Sequence, residues 1–319
     1  MEKIKQEEKV EGVYRKFQLE PSVAQAISSN YNLGHIESIK RFEEGMINDV
    51  FSLDDKYVLK INTAQPDIPK LKKEFSVYQA LPQFNVPTPL VVGFDESLKT
   101  IKFPYLVYKQ IDGQTLSVQW GILEQEAQDS YMEQLGALLG KIHNLKPSNL
   151  DLPGQGEYLG LKKDIIIRIN KIAGELATSK VLDEEVILRI KNFYLNSSLF
   201  DEEAPPSLLH GNYGLGNIIT NNGVINGVID WEWVSFGHNE EELAVLLYRV
   251  YKTESQREHF KEGYLKNHTI SPDFEKRYFA YALLYYLKVL PSVPGWGHRP
   301  DKQKEYLDET ATLIKQVGL

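Results

Sequence analysis

Four residues scattered along this chain have the side chains that handling a triphosphate requires: Lys60, Glu74, Asn217 and Asp230. Phosphoryl transfer asks little covalent chemistry of a protein. It needs positive charge on the phosphates, oxygen ligands for a divalent ion, and a group that orients the attacking hydroxyl. Lys60 sits among apolar residues in "YVLKIN", and Glu74 follows fourteen positions later. Asn217 closes the glycine-bearing stretch "HGNYGLGN" and offers an amide oxygen to a hard cation. Asp230 ends the apolar run "GVINGVID", where a carboxylate is costly unless compensated, and Mg²⁺ is a natural compensator. Gly45, in "EGMIND", could let backbone amides approach a phosphate. Each has a plainer reading. Lys60 could point to solvent, Glu74 beside Lys72 and Lys73 could be a solvated helix charge, and Gly45 could mark a simple hairpin. Asp230 could be a loop carboxylate or a helix N-cap.

These residues must be positioned by two kinds of segment. Residues 35–45, 48–53, 56–62, 88–95 and 101–110 are β-branched or aromatic runs separated by turn signals, notably Asp54-Asp55. Helical spacing of Leu71, Phe75, Tyr78 and Leu81 places a helix over 69–81, and a shorter one is expected over 20–32. Beyond Asp112-Gly113 the pattern becomes helical: 124–145, 161–178, 183–195, then 239–252, 254–266, 272–291 and 300–316. Between 207 and 230 two short strands flank Asn222-Gly223, a tight-turn signal. The expected organisation is α+β and bilobal. Residues 1–112 form a small antiparallel-sheet lobe with an N-terminal helical extension, and 113–319 form a larger, mainly helical lobe. The cleft between lobes is a natural ligand site.

Composition sets outer bounds. The 319 residues are 42% hydrophobic and 25% charged, ordinary for a globular protein. Absence of cysteine excludes disulfides, thiolate metal sites and cysteine nucleophiles, and fits a cytoplasmic setting. No signal-like N-terminus or long apolar run is present, so no membrane partner is expected. A net charge of −8 disfavours duplex nucleic acid. The chain is expected to act as a monomer or homodimer.

Taken together, "HGNYGLGN", "VIDWEW", "YVLKIN" and "EGMINDVF" resemble the aminoglycoside phosphotransferase and choline kinase-like group, over roughly residues 36–250. The resemblance implies the protein-kinase architecture. It makes Lys60 the strand lysine that binds phosphates and Glu74 its helix partner. Gly45 and Asn48 would lie in the nucleotide-positioning loop, and the backbones of Lys109 and Ile111 in a hinge facing the purine. Asn217 and Asp230 would be the two protein ligands of Mg²⁺, and Asn212 falls where the group carries its catalytic aspartate. Two features depart from the pattern. "GHNEEELA" replaces the usual glycine-proline-aspartate opening of the next helix, with Glu242 near that aspartate's place. The other is Asn212 itself: an amide can accept a hydrogen bond but cannot take a proton. Losing general-base help costs about 10²- to 10⁴-fold in rate.

The function expected is therefore transfer of the γ-phosphate of ATP or GTP, with Mg²⁺, to a hydroxyl of a small molecule. An antibiotic such as an aminoglycoside leads, and turnover is slowed by Asn212. Glu232, Glu241 and Glu242, with Glu240, could attract a polycation, although the plainer reading of the acidic cluster is a solvated helix start. His210 is expected to pin the loop rather than act as a base, and His143 to be a packing or surface residue. The rivals are a catalytically inactive nucleotide-binding regulatory protein of the same fold, and a helical interaction scaffold.

Overall fold

The structure is a computed structural model that describes residues 17–42, 48–63, 68–297 and 299–319. Gly45 lies outside the described residues. The N-terminal part begins with α1 (Pro21–Tyr31), which has proline in its first turn and ends on left-handed Asn32. It continues through β1 (Ile39–Arg41), β2 (Asp49–Leu53) and β3 (Tyr57–Ile61), then α2 (Ile68–Ala80), β4 (Val91–Asp95) and β5 (Tyr105–Lys109). The five strands make one antiparallel sheet in the order β1-β2-β3-β5-β4. Asp54 and Asp55 both take positive φ, which turns β2 tightly into β3. The Asp54 carboxylate accepts the Glu37 and Ser38 amides at 3.0 and 2.7 Å.

Strand alternation decides which way Lys60 points. Leu59 and Ile61 join Phe51, Leu53, Tyr105 and Val107 on the face covered by α1. Val58, two residues from Lys60, lies on the other face with Leu106 and Tyr108, towards α2. Both faces are covered, so "YVLKI" reads as a continuous apolar run rather than an alternating one.

The remainder follows as β6 (Gln114–Thr115), α3 (Leu116–Gln119), α4 (Gln125–His143), α5 (Leu161–Ser179) and α6 (Glu184–Asn196). Next come β7 (Ser207–Leu209), β8 (Ile218–Asn221), β9 (Val224–Val228) and β10 (Ser235–Gly237). Four helices close the chain: α7 (Asn239–Val245), α8 (Glu254–Leu265), α9 (Phe274–Val289) and α10 (Pro300–Gln316). β8 and β9 form a hairpin over Asn222-Gly223, both at positive φ, and β6 adds to its edge. β7 pairs with β10, which brackets the two loops carrying "HGNYGLGN" and "DWEW". The expected helix over 239–252 ends differently: after α7 the chain widens into a π-turn over Leu246–Val250. Of the strand expected over 35–45, the described residues show only Ile39–Arg41 as strand.

α4 and α8 cross where Gly136 and Gly263 leave room. A Cβ on Gly136 would lie 2.0 Å from the Phe260 carbonyl oxygen, and one on Gly263 2.0 Å from that of Glu133. One apolar core runs without a break from Val58, Leu71 and Leu106 through Leu116 and α4 to Leu283 in α9.

Candidate active site

Lys60 lies in β3 with its ammonium between two carboxylates. Nζ is 2.7 Å from Glu74 Oε2 and 2.6 Å from Asp230 Oδ1. Glu74 is fully buried on α2. Tyr78, one turn along the same helix, donates its hydroxyl to Glu74 Oε1 at 2.7 Å and accepts the Asp230 amide at 3.1 Å. Burial would lower the Lys60 pKa, but Glu74, Asp230 and Glu232 outweigh it and hold the ammonium well above its usual range. Burial would raise Asp230; Lys60 overrides that and keeps it ionised below the usual carboxylate range. Asp230 occupies a left-handed backbone conformation, φ 63°, uncommon outside glycine and typical of residues held for a purpose.

The loop after β7 is held from behind. Glu242 on α7 accepts the His210 amide at 3.0 Å and the Gly211 amide at 2.6 Å. Its Oε2 also meets His143 Nε2 at 3.0 Å, and His143 Nδ1 meets the Tyr264 hydroxyl at 2.8 Å. Burial would raise Glu242, yet His143 and the His210 amide hold it below the ordinary glutamate range. His210 donates Nε2–H to the Ile229 carbonyl at 3.0 Å and accepts the Asn212 amide on Nδ1 at 3.2 Å. Burial depresses its pKa, so the ring is neutral and both nitrogens are engaged. His210 is thus a loop-pinning residue.

Asn212 is exposed at the head of this loop. Its carbonyl accepts Asn217 Nδ2 at 2.8 Å, which leaves the Asn217 amide oxygen for another partner. The Ile229 amide donates to the Asn217 carbonyl at 2.9 Å, so Asn217 and Asp230 come from facing segments. Asn48 Nδ2 donates to Glu232 Oε2 at 2.9 Å, tying the start of β2 to the residue pair after Asp230. Asn48 Oδ1 is buried with no hydrogen-bond partner among the described residues.

Lys60, Glu74, Asn217, Asp230, Asn48 and Asn212 therefore gather about one region. At the segment expected to be a hinge, the Lys109 amide is donated to the Leu90 carbonyl at 2.8 Å. Ile111 packs over Gly227, where a Cβ would lie 2.2 Å from its Cδ1. The α7 glutamates are not a solvated helix start. Glu240 pairs with Arg277 at 2.7 Å, Glu241 forks with Arg168 at 2.6 and 2.5 Å, and Glu242 holds the loop. In the sequence Tyr78 reads only as a core residue. Its spacing of four from Glu74 on one helix face was the available signal. His143, expected to be a packing or surface residue, is fully buried, and its partners Glu242 and Tyr264 come from α7 and α8.

Two lobes, an antiparallel sheet carrying a buried lysine–glutamate pair, and a loop facing an aspartate define the bilobal protein-kinase-like fold expected from the sequence. The sequence profile of the phosphotransferase enzyme family matches residues 38–280, and the chain belongs to that family. It is 23% identical over 222 residues to hygromycin-B 4-O-kinase of Escherichia coli. That match covers 67% of this chain and 62% of the kinase, so the chain spans under two thirds of that relative's length. The fold is shared with APH(2″)-IIa in a ternary complex with streptomycin and ATP: TM-score 0.67, 17% identity, 93% of this chain and 99% of that one. It is shared too with the GDP complex of aminoglycoside 2′-phosphotransferase-IIIa: TM-score 0.69, 16% identity, 94% and 98% covered.

Proposed function

We propose that this chain transfers the γ-phosphate of ATP or GTP to a hydroxyl of a small molecule. Residues 1–112 supply the nucleotide-binding lobe and 113–319 the metal and acceptor sites. The observation that carries the reading is the position of Lys60, 2.7 Å from Glu74 and 2.6 Å from Asp230. Glu74 is buried and braced by Tyr78, so it can hold Lys60 in place while Lys60 exchanges Asp230 for a phosphate oxygen. Asn48, just before β2, closes the same site.

The donor set fits Mg²⁺. The Asn217 amide oxygen and the Asp230 carboxylate are hard oxygen ligands on facing segments. Mg²⁺ usually takes one or two protein ligands and leaves the rest to phosphate and water. Such an ion would neutralise charge on the phosphates. The protein's own part is positional: Lys60 binds, Glu242 and His210 fix the loop, and Asn212 orients the acceptor hydroxyl through its amide oxygen. Asn212 cannot remove the proton, so turnover is slow. The names of the related proteins favour an antibiotic acceptor. Of the three glutamates expected to draw a polycation, Glu241 is forked with Arg168, Glu242 holds the loop amides, and Glu232 accepts the Asn48 amide.

Calorimetric titration with ATP and GTP, with and without Mg²⁺, tests the reading. Binding of one nucleotide should depend on Mg²⁺, fall at least about tenfold in Lys60→Met, and lose its metal dependence in Asp230→Asn. Failure of both nucleotides to bind would leave the scaffold reading. Asn212 itself favours the second reading, a nucleotide-binding protein without turnover. Restoring the carboxylate at that position separates the two readings.

A further inference from the structure

The surroundings of Trp233 constrain the charge of the acceptor. This inference rests on the phosphotransferase reading, because it places the acceptor beside Asn212. The backbone of Trp233 abuts the catalytic loop: a Cβ on Gly211 would lie 2.5 Å from the Trp233 carbonyl oxygen. Trp233 is 38% exposed. Two ammonium groups already lie over the ring, Lys70 of α2 at 4.0 Å from its centroid and Lys288 of α9 at 5.3 Å.

Behind Trp233 the carboxylates are consumed. Glu241 is forked with Arg168, and Asp164 reaches the same guanidinium at 3.2 Å. Lys171 reaches Glu175 at 3.8 Å. Lys288 has no carboxylate within ion-pairing distance among the described residues. It sits in the last turn of α9, where the helix dipole tolerates a cation, and it keeps exposed surface although protein crowds its ammonium. The protein around it lowers its pKa by burial, with Arg168, Lys171 and Lys70 adding repulsion against Glu241. A second unmet group stands by the same Arg168–Glu241 pair. The Tyr158 hydroxyl is buried without a hydrogen-bond partner among the described residues, and burial pushes its pKa up to about 12, so it is a neutral donor.

We propose that the acceptor carries an anionic group beside its hydroxyl, received by the Lys288 ammonium at the open side of Trp233, and that polycationic acceptors are disfavoured. An anion there meets an ammonium whose nearest acidic influence, Glu241, is already forked with Arg168. A polycation meets the same ammonium, with Glu241 beside it already spent on Arg168.

Three probes share a ring and a primary alcohol and differ in charge: 4-(hydroxymethyl)benzoate, 4-(hydroxymethyl)benzamide and 4-(hydroxymethyl)benzylamine. Each is titrated into the full chain with Mg²⁺ and a non-hydrolysable ATP analogue, beside kanamycin, with binding followed by ligand-observed NMR. The benzoate should bind at least about tenfold more tightly than the benzylamine, with the benzamide between. Lys288→Gln should abolish the preference and Lys288→Glu should reverse it, while the melting temperature and binding of the ATP analogue stay unchanged. Tighter binding of the benzylamine or kanamycin, no binding of the benzoate, or a preference untouched in both Lys288 variants would overturn the proposal. The analogue is scored separately. If it fails to bind while the benzoate preference holds, the phosphotransferase reading falls and the anion site stands; the opposite pattern removes the anion site alone.

Discussion

On the proposed reading, the chemistry turns on Asn212. Its backbone is fixed at both ends, the amide on His210 Nδ1 and the carbonyl on Asn217 Nδ2. A carboxylate of nearly the same shape can therefore replace its exposed side chain without moving the loop. Asn212→Asp should raise kcat by about 10²- to 10⁴-fold through restored general-base help. The nucleotide KM should stay within about threefold, since Lys60, Glu74 and Asp230 are untouched. Steady-state kinetics with ³¹P detection of the product checks this. An unchanged kcat with nucleotide bound would support the non-catalytic reading. The identity of this residue was plain in the sequence, as was the set Lys60, Asn217 and Asp230. What the sequence could not show was engagement. Nothing in "YVLKIN" tells which face Lys60 takes, because both faces of the sheet are buried. Nothing near Tyr78 tells that its hydroxyl bridges Glu74 to the Asp230 amide.

At the scale of elements, α7 works through charge. Three successive glutamates at a helix start read as partners of the helix dipole or of a cationic ligand. In the fold they reach Arg277 on α9, Arg168 on α5 and the amides of His210 and Gly211. Those partners lie 31 to 73 positions away in sequence, so local pattern cannot reveal them. Glu242→Gln tests the consequence. The amide can accept one of the two loop N–H groups, but it must turn its own NH₂ towards the other. We expect a loss of about 2–3 kcal/mol in urea unfolding, with kcat falling at least about tenfold and nucleotide affinity kept. The α4–α8 crossing is decided by volume instead. Gly136→Ala would push a methyl group against the Phe260 carbonyl, 2.0 Å from the ideal Cβ position. A destabilisation of about 3 kcal/mol follows from overpacking against backbone, measurable in the same denaturation series. An unaltered midpoint would mean that the two helices can separate freely.

Across the whole molecule, the division into sheet and helical parts was legible because hydrophobic period changes near Gly113. The unbroken core joining them was not, since it depends on which strand faces turn towards α2. The molecule's response to acid follows from buried groups rather than from net charge. With a formal charge of −8, mild acidification reduces self-repulsion, and on that ground alone stability should rise. The buried histidines predict the opposite. Burial brings His238, which shares a 2.5 Å hydrogen bond with Tyr281, down to about 4. In the unfolded chain a histidine titrates near 6.5. Between those values the unfolded state binds the proton and the folded state does not, so stability falls as pH drops from about 6.5 to about 4. This one site contributes up to about 3 kcal/mol of that loss. His210, lowered in the same sense, adds to it. Asp230 and Glu242, whose folded pKa values are depressed, begin to lose their contribution as pH falls below the ordinary carboxylate range. Urea unfolding at pH 7.5, 6.0 and 4.5 should show a monotonic decline, and His238→Asn should flatten its upper part. A rise in stability on acidification would mean that long-range repulsion outweighs the desolvated imidazoles.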